Sequence, residues 1–246
     1  MRILGGPVMK KKKQKRDYFV SCIVAAAGES RRMGENVNKL FLEIGGAPVI
    51  AHTLLALQNS GFIDEIIVAA KEEDMLDISD IAADFEIDKL KAIVKGGEVR
   101  AESVKAAIAE LSEDCDLIAV HDGARPLVDE ETIAEAVSAG FAFGAAACGV
   151  RPKATIKRED ESGFIAETVD RSELFEIQTP QVFSKALFLN AYDAEKDALR
   201  AVTDDCALVE KLGTKIKITP GSYRNIKITT VEDIAVAEGL LSGEEW

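Results

Sequence analysis

The sequence IVAAAGESRRMGENVNK occupies residues 23–39 and joins an apolar run to a polar, basic loop. The apolar run covers residues 19–27 and stops at Gly28. The loop that follows carries basic and glycine positions at Arg31, Arg32, Gly34 and Lys39. This change predicts a buried strand that feeds a turn able to handle phosphate. Since ligands of open α/β sheets bind at the carboxyl ends of strands, the loop is the first candidate for a ligand site.

The residue types in this loop suit a nucleoside triphosphate. Such a ligand brings about four negative charges, so it needs backbone N–H groups that can come close and cationic side chains that neutralise its oxygens. Ala26, Ala27 and Gly28 permit the close approach. Arg32 and Lys39 supply positive charge.

Two familiar phosphate motifs are excluded at this place. The residues after Gly28 are Glu29, Ser30 and Arg31, which do not fit the dinucleotide pattern GxGxxG. No GK followed by Ser or Thr occurs anywhere in the chain, so a Walker loop is absent as well. The alternative for this stretch alone is a solvated basic loop after a core strand.

The composition suits one folded unit. A chain of 246 residues, 47% of them hydrophobic, can form a substantial core, so we predict a single domain over residues 18–246. The net charge of -13 argues against a nucleic-acid partner, which normally meets a broad basic face. Residues 1–17 are instead rich in lysine and arginine, and we predict a disordered basic tail there.

Neither a membrane segment nor a metal site of the protein's own is indicated. The longest apolar run, residues 141–150, is shorter than the roughly 18 residues of a membrane helix, and we predict no membrane partner. The cysteines lie far apart, without CxxC or Cys/His spacing, at Cys22, Cys115, Cys148 and Cys206. This pattern predicts neither zinc nor a disulfide framework, and it favours a reduced, cytoplasmic protein.

Strand-like and helix-like segments alternate along the chain. Further strands are predicted at residues 63–70, 91–95, 116–121 and 216–219. Helices are predicted at residues 48–59, 72–83, 98–111, 184–199 and 205–212, with a last helix capped by Thr230. Such alternation with short connections is typical of parallel strands covered on both faces. We therefore predict an α/β fold with a Rossmann-like, mostly parallel sheet flanked by helices.

Polar motifs follow two more of the predicted strands. The turn Gly96-Gly97-Glu98 precedes a helix that carries Arg100 and Ser103, so its backbone should face the same edge as Gly28. A glycine turn with a helix cap is the alternative, but that alternative does not explain the basic residue.

The second motif is VHDGARP at residues 120–126. A carboxylate at a strand end can orient a polyol hydroxyl or a metal ion while an arginine meets phosphate, which makes Asp122 and Arg125 candidates. A lone histidine beside a core strand is more often packed and hydrogen-bonded than catalytic, and no nucleophile pairs with His121.

Residues 151–172 read as a charged β-hairpin, too polar to form a core. A lone two-stranded hairpin is only marginally stable, so this protruding β-arm needs a partner. The simplest geometry exchanges two arms across a twofold axis, which predicts a homodimer. Farther along the chain, Lys227 lies on an extended segment and is predicted to point back into the site.

The ordered set of motifs resembles the 2-C-methyl-D-erythritol 4-phosphate cytidylyltransferases over about residues 19–241. The matching pieces are AAAGxSRRM, Lys39, GGExRxxSV, HDGARP, KATIK, TVDR, TPQ, TDD and NIKIT. The chain departs from the family pattern at Asn38, where proline is usual, at Leu40-Phe41, and at Gly123, where alanine is usual.

The resemblance implies a fold of the nucleotide-diphospho-sugar transferase type. It implies transfer of a cytidylyl group from CTP to methylerythritol phosphate with release of pyrophosphate, and Mg²⁺ bound mainly through the CTP phosphates. The catalytic residues would be Arg32, Lys39 and Lys227. The nucleotide would meet Ala26, Ala27, Gly28, Gly97, Glu98 and Ser103. The polyol phosphate would meet Asp122, Gly123, Arg125, Thr155, Arg171, Thr179 and Lys227.

Two alternatives stay open at this stage. A ribitol-5-phosphate cytidylyltransferase would share the fold and the nucleotide motifs and differ in its polyol. A non-catalytic nucleotide-binding regulator would be indicated by loss of Arg32 or Lys39, and both residues are present. In the resemblance, Thr155 and Arg171 of the β-arm reach into the neighbouring subunit.

Overall fold

The structure is a computed structural model that describes residues 16–28, 38–194 and 199–243. Its strands are β1 (Phe19–Ala25), β2 (Glu43–Ile44), β3 (Ala47–Pro48), β4 (Glu65–Ala70), β5 (Leu90–Lys95), β6 (Cys115–Asp122), β7 (Ala145–Val150), β8 (Ile156–Glu159), β9 (Ile165–Val169), β10 (Glu176–Ser184) and β11 (Lys217–Pro220). Its helices are α1 (Val49–Asn59), α2 (Met75–Asp84), α3 (Arg100–Ile108), α4 (Glu130–Phe143), α5 (Lys185–Ala194), α6 (Cys206–Lys211) and α7 (Glu232–Ser242).

Seven strands form one sheet in the order β11-β7-β10-β6-β1-β4-β5. The pairs of β1 with β4 and β6, of β4 with β5 and of β7 with β11 are parallel. Strand β10 runs antiparallel to both of its neighbours, β6 and β7. The predicted mostly parallel α/β sheet is confirmed, and the carboxyl ends of β1, β4, β5 and β6 lie at one edge.

Helices cover both faces of the sheet because successive side chains of a strand point to opposite sides. On one face, Val20, Cys22 and Val24 of β1 belong to a core with α1, α2 and α4. On the other face, Ile23 belongs to a core with α3, α5 and α6 that includes Phe188. Strand β1 is therefore buried on both sides, as its continuous apolar sequence predicts.

The sequence analysis did not identify helix α4 and strand β7, although their signals are present. Asp129 caps α4, since its carboxylate accepts a hydrogen bond of 2.7 Å from the backbone N–H of Thr132. Gly144 ends the helix with a φ of 81°, the left-handed conformation that glycine adopts without strain. The apolar run at residues 141–150 is thus a helix end followed by a strand.

Two predicted helices begin later than expected. Residues 96–99 form a loop before α3, because side chains inside the first turn of the helix bond back to this segment. Residues 72–74 form a short 3-10 turn before α2, so the helix starts at Met75. The remaining predicted helices and strands agree with the structure to within a few residues where it is described, and residues 195–198 of the predicted helix 184–199 lie outside the described part.

The β-arm is a two-stranded ribbon in which β8 and β9 pair in antiparallel fashion. Its side chains are mostly exposed, including Phe164 at 72% and Ile165 at 68% of their full accessible surface. The predicted hairpin is therefore present, and within the described residues no partner covers these apolar groups.

The amino-terminal end of the described chain is anchored. Arg16 donates hydrogen bonds to the carbonyl of Phe62 and to both carboxylate oxygens of Asp64, at 2.9 to 3.2 Å. Arg16 thus belongs to the fold, although the predicted disordered tail extends to residue 17, because its guanidinium finds a carboxylate on the turn before β4. The prediction for residues 1–15 lies outside the described residues. None of the helices in the described ranges is long and apolar enough to cross a membrane.

Candidate active site

Three strand ends meet at one edge of the sheet. The loop after β1 is tied to β4 by the bond from Ala26 N–H to the Ala69 carbonyl, which is 2.8 Å long. The loop after β5 is tied to β4 by the bond from Gly96 N–H to the Ala70 carbonyl, at 2.7 Å. The turn after β6 is tied to β1 by the bond from Gly123 N–H to the Ala25 carbonyl, at 3.0 Å. The polar motifs are therefore brought together as predicted for a ligand site.

Small residues let the first two loops approach each other closely. A Cβ atom on Gly96 would lie 2.4 Å from Cβ of Ala27 and 2.8 Å from Oγ of Ser103, which is closer than atoms can pack. The loop after β5 is therefore packed directly against Ala27 of the loop after β1, with no room for a side chain at Gly96. Gly28 is exposed, with no atom within 4 Å of where a Cβ would stand.

The loop at residues 96–99 is held by α3. The hydroxyl of Ser103 accepts a hydrogen bond from Gly97 N–H at 3.1 Å and bonds the Val99 carbonyl at 3.1 Å. The carboxylate of Glu102 accepts a bond of 2.9 Å from Glu98 N–H. Ser103 is buried, so its hydroxyl supports the shape of this nucleotide-loop candidate.

Glu98 itself is exposed and is paired with a residue from a distant turn. Arg200 places one guanidinium nitrogen 2.6 Å from Glu98 and another 3.1 Å from Glu102. All three groups are solvent-accessible, so these pairs contribute little free energy and leave Glu98 able to reach a ligand.

Asp122, the last residue of β6, is contacted by three cations. Its Oδ1 lies 3.0 Å from Nε of Arg100, while its Oδ2 lies 2.8 Å from Nζ of Lys227 and 3.6 Å from Nε of Arg125. Burial acts to raise the pKa of this carboxyl, but the charges of Arg100, Lys227 and Arg125 outweigh it and hold the pKa well below its usual range. Asp122 is therefore a fixed anion within a cluster of net positive charge, which suits an anionic substrate.

A buried hydrogen-bond chain supports Asp122 from behind. The hydroxyl of Thr179 accepts a bond of 3.0 Å from Asp122 N–H and lies 3.0 Å from Nδ1 of His121. Nε2 of His121 lies 3.2 Å from the carbonyl of Arg125. Because a carbonyl only accepts, Nε2 carries the proton of a neutral ring and Thr179 donates to Nδ1.

The environment keeps His121 uncharged. Burial lowers the pKa of this histidine to about 4, although the charge of Asp122 opposes the shift. The packed, hydrogen-bonded role that the sequence analysis favoured for His121 agrees with these contacts. Because the Thr179 hydroxyl donates its proton to Nδ1 of His121, Thr179 can only accept a hydrogen bond from a substrate.

Comparison with known proteins decides the family. The family model of 2-C-methyl-D-erythritol 4-phosphate cytidylyltransferase matches residues 20–243. A protein of that name from Caldanaerobacter subterraneus subsp. tengcongensis is 46% identical over 220 residues, which cover 89% of this chain and 97% of the relative. One from Clostridium acetobutylicum is 42% identical over 221 residues, covering 89% and 96%. The chain belongs to the 2-C-methyl-D-erythritol 4-phosphate cytidylyltransferase family.

Solved structures agree with this assignment. The crystal structure of 4-diphosphocytidyl-2C-methyl-D-erythritol synthase from Anaerococcus prevotii superimposes with a TM-score of 0.80 at 32% identity, covering 92% of this chain and 99% of that one. The cytidylyltransferase from Thermus thermophilus gives a TM-score of 0.72 at 26% identity, covering 91% and 99%. The family transfers a cytidylyl group from CTP to methylerythritol phosphate in isoprenoid synthesis, so the predicted family, fold class and enzyme class are confirmed. The comparisons favour methylerythritol phosphate over ribitol phosphate and an enzyme over a regulator.

The predicted cytidylyltransferase residues fall into three groups. Those at the common sheet edge are Ala26, Ala27, Gly28, Gly97, Glu98, Ser103, Asp122, Gly123, Arg125, Thr179 and Lys227. The second group is Arg32 and Lys39, which follow Gly28 in the sequence. Lys39 is partly buried in the turn before Leu40, and the Leu40 carbonyl accepts a hydrogen bond of 3.0 Å from Ile50 N–H. Arg32 lies outside the described residues.

Thr155 and Arg171 form the third group, because both lie exposed on the β-arm. Arg171 donates a hydrogen bond to the carbonyl of Lys153 within the same arm. A shallow cavity of about 510 Å³ opens at the base of the arm and is lined by Arg151, Pro152, Lys153, Arg171, Ser172 and Tyr223. The cavity is markedly basic, so it suits an anionic group.

Asn225 and Asp205 were not among the site residues that the sequence analysis named, and Arg100 was noted there without an assigned role. Asn225 is fully buried, donates to the Thr179 carbonyl at 2.8 Å, and accepts from Arg125 at 2.6 Å through its own carbonyl. Its position at the start of the NIKIT motif was the available signal. Asp205 contacts Arg100, and this contact joins segments far apart in the sequence.

A protein-bound metal does not fit this carboxylate. Asp122 is surrounded by three cations, so it has no free charge to offer a divalent ion. Within the described ranges, no group of three or more His, Cys, Asp or Glu residues is arranged to hold a metal.

Proposed function

We propose that this chain performs the reaction of its family at the sheet edge that carries Asp122. An oxygen of the methylerythritol phosphate would attack the α-phosphorus of CTP, and the bond from that phosphorus to the β-phosphate oxygen would break. Pyrophosphate leaves, and the product is 4-diphosphocytidyl-2-C-methyl-D-erythritol. The observation that carries the proposal is the triple contact of Asp122 with Arg100, Arg125 and Lys227, beside two loops built for close backbone approach.

The nucleophile explains why the site needs no general base. A phosphate monoester is largely doubly ionised at pH 7, so no proton has to be removed before it attacks. Catalysis then consists of aligning two anions and stabilising the charge that develops on the α-phosphate. The neutral, buried His121 is in keeping with this, because it is not placed to move a proton.

CTP would occupy the two adjoining loops. The backbone at Ala26, Ala27 and Gly28 would meet the phosphates, while Gly97 and Glu98 would meet the base and ribose, with Ser103 holding the loop. The closeness of Gly96 to Ala27 supports this placement, since both loops then border one ligand volume. Arg32 and Lys39 would stabilise charge on the phosphates from the segment that joins the first loop to α1.

Methylerythritol phosphate would bind around Asp122, with Gly123 leaving its backbone accessible. The Asp122 carboxylate would accept a hydrogen bond from a hydroxyl of the polyol, because its lowered pKa keeps the carboxylate ionised at every physiological pH. Of the three cations, Lys227 has the most exposed side chain, at 38%, against 11% for Arg125. Lys227 would therefore contact the reacting phosphate, whereas Arg125 mainly orients Asp122 and the Asn225 segment.

The β-arm would complete the site of a neighbouring subunit. Phe164 and Ile165 are apolar and largely exposed on the ribbon, and such groups are covered when two arms exchange in a homodimer. Thr155 and Arg171 would then approach the substrate phosphate bound by the other chain. The basic cavity at the base of the arm supports an anion-binding role for this region.

Mg²⁺ would be bound mainly by the phosphates of CTP, which fits the lack of a free carboxylate at Asp122. The ion would neutralise phosphate charge when bound. The proposed location is the cytoplasm, which the four free, buried cysteines support.

The test is a pyrophosphate-release assay that crosses CTP, UTP, ATP and GTP with methylerythritol phosphate and ribitol 5-phosphate. We expect rapid release only with CTP and methylerythritol phosphate. Faster release with ribitol 5-phosphate would show that the proposed polyol substrate is wrong. Equal rates with CTP and ATP would show that the proposed binding site of the base is wrong. Binding of CTP without any turnover would favour a regulator.

A further inference from the structure

A second buried ion pair lies directly behind Asp122. Arg100 is the first residue of α3 and bridges two carboxylates, with Nε 3.0 Å from Oδ1 of Asp122 and Nη1 2.5 Å from Oδ2 of Asp205. The remaining oxygen of Asp205 accepts a bond of 2.5 Å from the hydroxyl of Tyr192. The chain Tyr192–Asp205–Arg100–Asp122 thus runs from α5 to the end of β6.

The side chain of Asp205 bonds Arg100 and Tyr192 rather than the backbone of α6. It is the residue before α6 and has no accessible surface, yet its side chain makes no helix-capping bond. The capping bond comes from Asp204, whose carboxylate accepts from Ala207 N–H at 3.1 Å. Of the two adjacent carboxylates before α6, Asp204 therefore caps the helix and Asp205 binds Arg100 and Tyr192.

The surroundings hold Asp205 in one position. Gln181 of β10 accepts a bond of 3.1 Å from Cys206 N–H and donates one of 2.9 Å to Asp204, which fixes the turn before α6. Burial, followed by the charge of Asp205, raises the pKa of Tyr192, so the phenol keeps the proton that it donates. Arg100 therefore meets a carboxylate whose position is set by α5, α6 and β10.

Stability alone is a weak explanation for such an arrangement. Removing two charges from water is costly, and well-packed apolar residues often stabilise a core as well as a buried ion pair does. What the pair does provide is direction, since a guanidinium bound at two nitrogens has little freedom to rotate. Arg100 then fixes Oδ1 of Asp122 and leaves Oδ2 for Lys227 and Arg125.

We propose that Arg100, held by Asp205 and Tyr192, is a positioning residue that orients the Asp122 carboxylate for the polyol phosphate. The inference rests on the proposed role of Asp122 in substrate binding. It assigns a function to three residues that contact the substrate only through Asp122. It also explains why α3 begins with an arginine directly after the nucleotide loop.

The experiment compares the substitutions Tyr192→Phe and Asp205→Asn with the wild type. Tyr192→Phe removes the hydroxyl that binds Asp205, and Asp205→Asn removes the charge that binds Arg100. We expect KM for methylerythritol phosphate to rise about threefold and about tenfold, respectively, with KM for CTP changed less than about twofold, because only the polyol contact is loosened.

A matched pair of controls exists at the opposite edge of the sheet. Glu65 is a buried carboxylate that accepts a bond of 2.6 Å from Ser21 and one of 2.5 Å from Ser112, and it lies at the amino end of β4. Ser112→Ala and Glu65→Gln therefore remove the same kinds of contact far from the site. We expect these variants to lower the melting temperature without changing either KM.

A double-mutant cycle separates positioning from a merely structural effect. In an Asp122→Asn protein, adding Tyr192→Phe should leave KM for methylerythritol phosphate unchanged, because the group being positioned is already lost. Additive effects, or unchanged kinetics in Tyr192→Phe and Asp205→Asn while Asp122→Asn is impaired, overturn the inference and leave the proposed function intact. Unchanged kinetics in Asp122→Asn itself overturn both.

Discussion

Nζ of Lys227 lies 2.8 Å from Oδ2 of Asp122, which ties the segment before α7 to the carboxyl end of β6. The two residues lie 105 positions apart in the sequence, and the sequence analysis assigned both to the polyol-phosphate site without pairing them. The contact places the most exposed of the three cations at the mouth of the site and leaves it with donors to spare, since an ammonium group has three. The proposed reaction depends on this pair, because it joins a fixed anion to a charge that can reach phosphate.

The substitution Lys39→Ala should leave the fold intact and lower kcat by about a hundredfold or more, the scale of losing one preorganised charge at a transition state. Arg32→Ala should behave alike, and Arg32→Lys should restore only part of the rate because lysine lacks the planar fork. Steady-state kinetics with circular dichroism check this. Lys91→Ala is the control, since Lys91 contacts Glu65 near the amino end of β4, and near wild-type turnover in Lys39→Ala would remove the assignment.

Gly96→Ala should damage the nucleotide site. Its Cβ would lie 2.4 Å from Cβ of Ala27, so the two loops must move apart. We expect a raised KM for CTP and a loss of about 1–3 kcal/mol of unfolding free energy, the usual cost of overpacking. Gly61→Ala is the matched control, because its Cβ would meet Glu130 at an ordinary 3.5 Å. Equal KM values for CTP in the two variants would show that the loops do not border the nucleotide.

The free energy of unfolding should depend on pH through His121. Its pKa is about 4 in the fold, below the value of 6.5 for an ordinary histidine, so the unfolded chain binds a proton that the folded chain refuses. The free energy of unfolding is therefore unaffected by His121 above about pH 6.5. It decreases as the pH falls from about 6.5 to about 4, by about 3 kcal/mol in total. Urea unfolding at pH 7 and pH 5 measures the loss. In His121→Gln the loss over this interval should be smaller, and an unchanged loss would place its origin elsewhere.

The exchanged arms can be tested by mixing two inactive proteins. Arg171→Ala and Lys39→Ala should each be nearly inactive as homodimers, since each active site would contain Lys39 of one subunit and Arg171 of the other. A mixture with free subunit exchange should recover up to roughly a quarter of wild-type activity, because half of the random pairs are mixed and each contains one intact site. A mixture that stays inactive after verified exchange, or a fully active monomer by sedimentation, would contradict the shared site.

The sequence was sufficient where one segment carries its own signal. Strand β1 and the small residues after it are readable because a strand buried on both faces needs a continuous apolar run, which then stops at Gly28. The sheet edge as a ligand site followed from the same local signals at residues 96–97 and 120–126.

Strand β10 was harder to predict because its polar residues are satisfied by distant partners. Gln178 bonds Ser222, and Gln181 bonds Asp204 and Cys206, so both can be buried in a strand that does not look apolar. The same holds for Asp122, whose three cations come from α3, from the turn after β6 and from the segment before α7. Pairings across such separations are set by the fold as a whole, so local pattern does not predict them.

The role of Asp122 is tested most directly by comparing wild-type protein with Asp122→Asn in two measurements, pyrophosphate release with methylerythritol phosphate and calorimetric binding of CTP. We expect kcat/KM for methylerythritol phosphate to fall about a hundredfold or more while the Kd for CTP changes less than about twofold, because the carboxylate contacts only the polyol phosphate. Unchanged kcat/KM for methylerythritol phosphate in a folded Asp122→Asn protein would contradict the claim that the reaction takes place around this carboxylate.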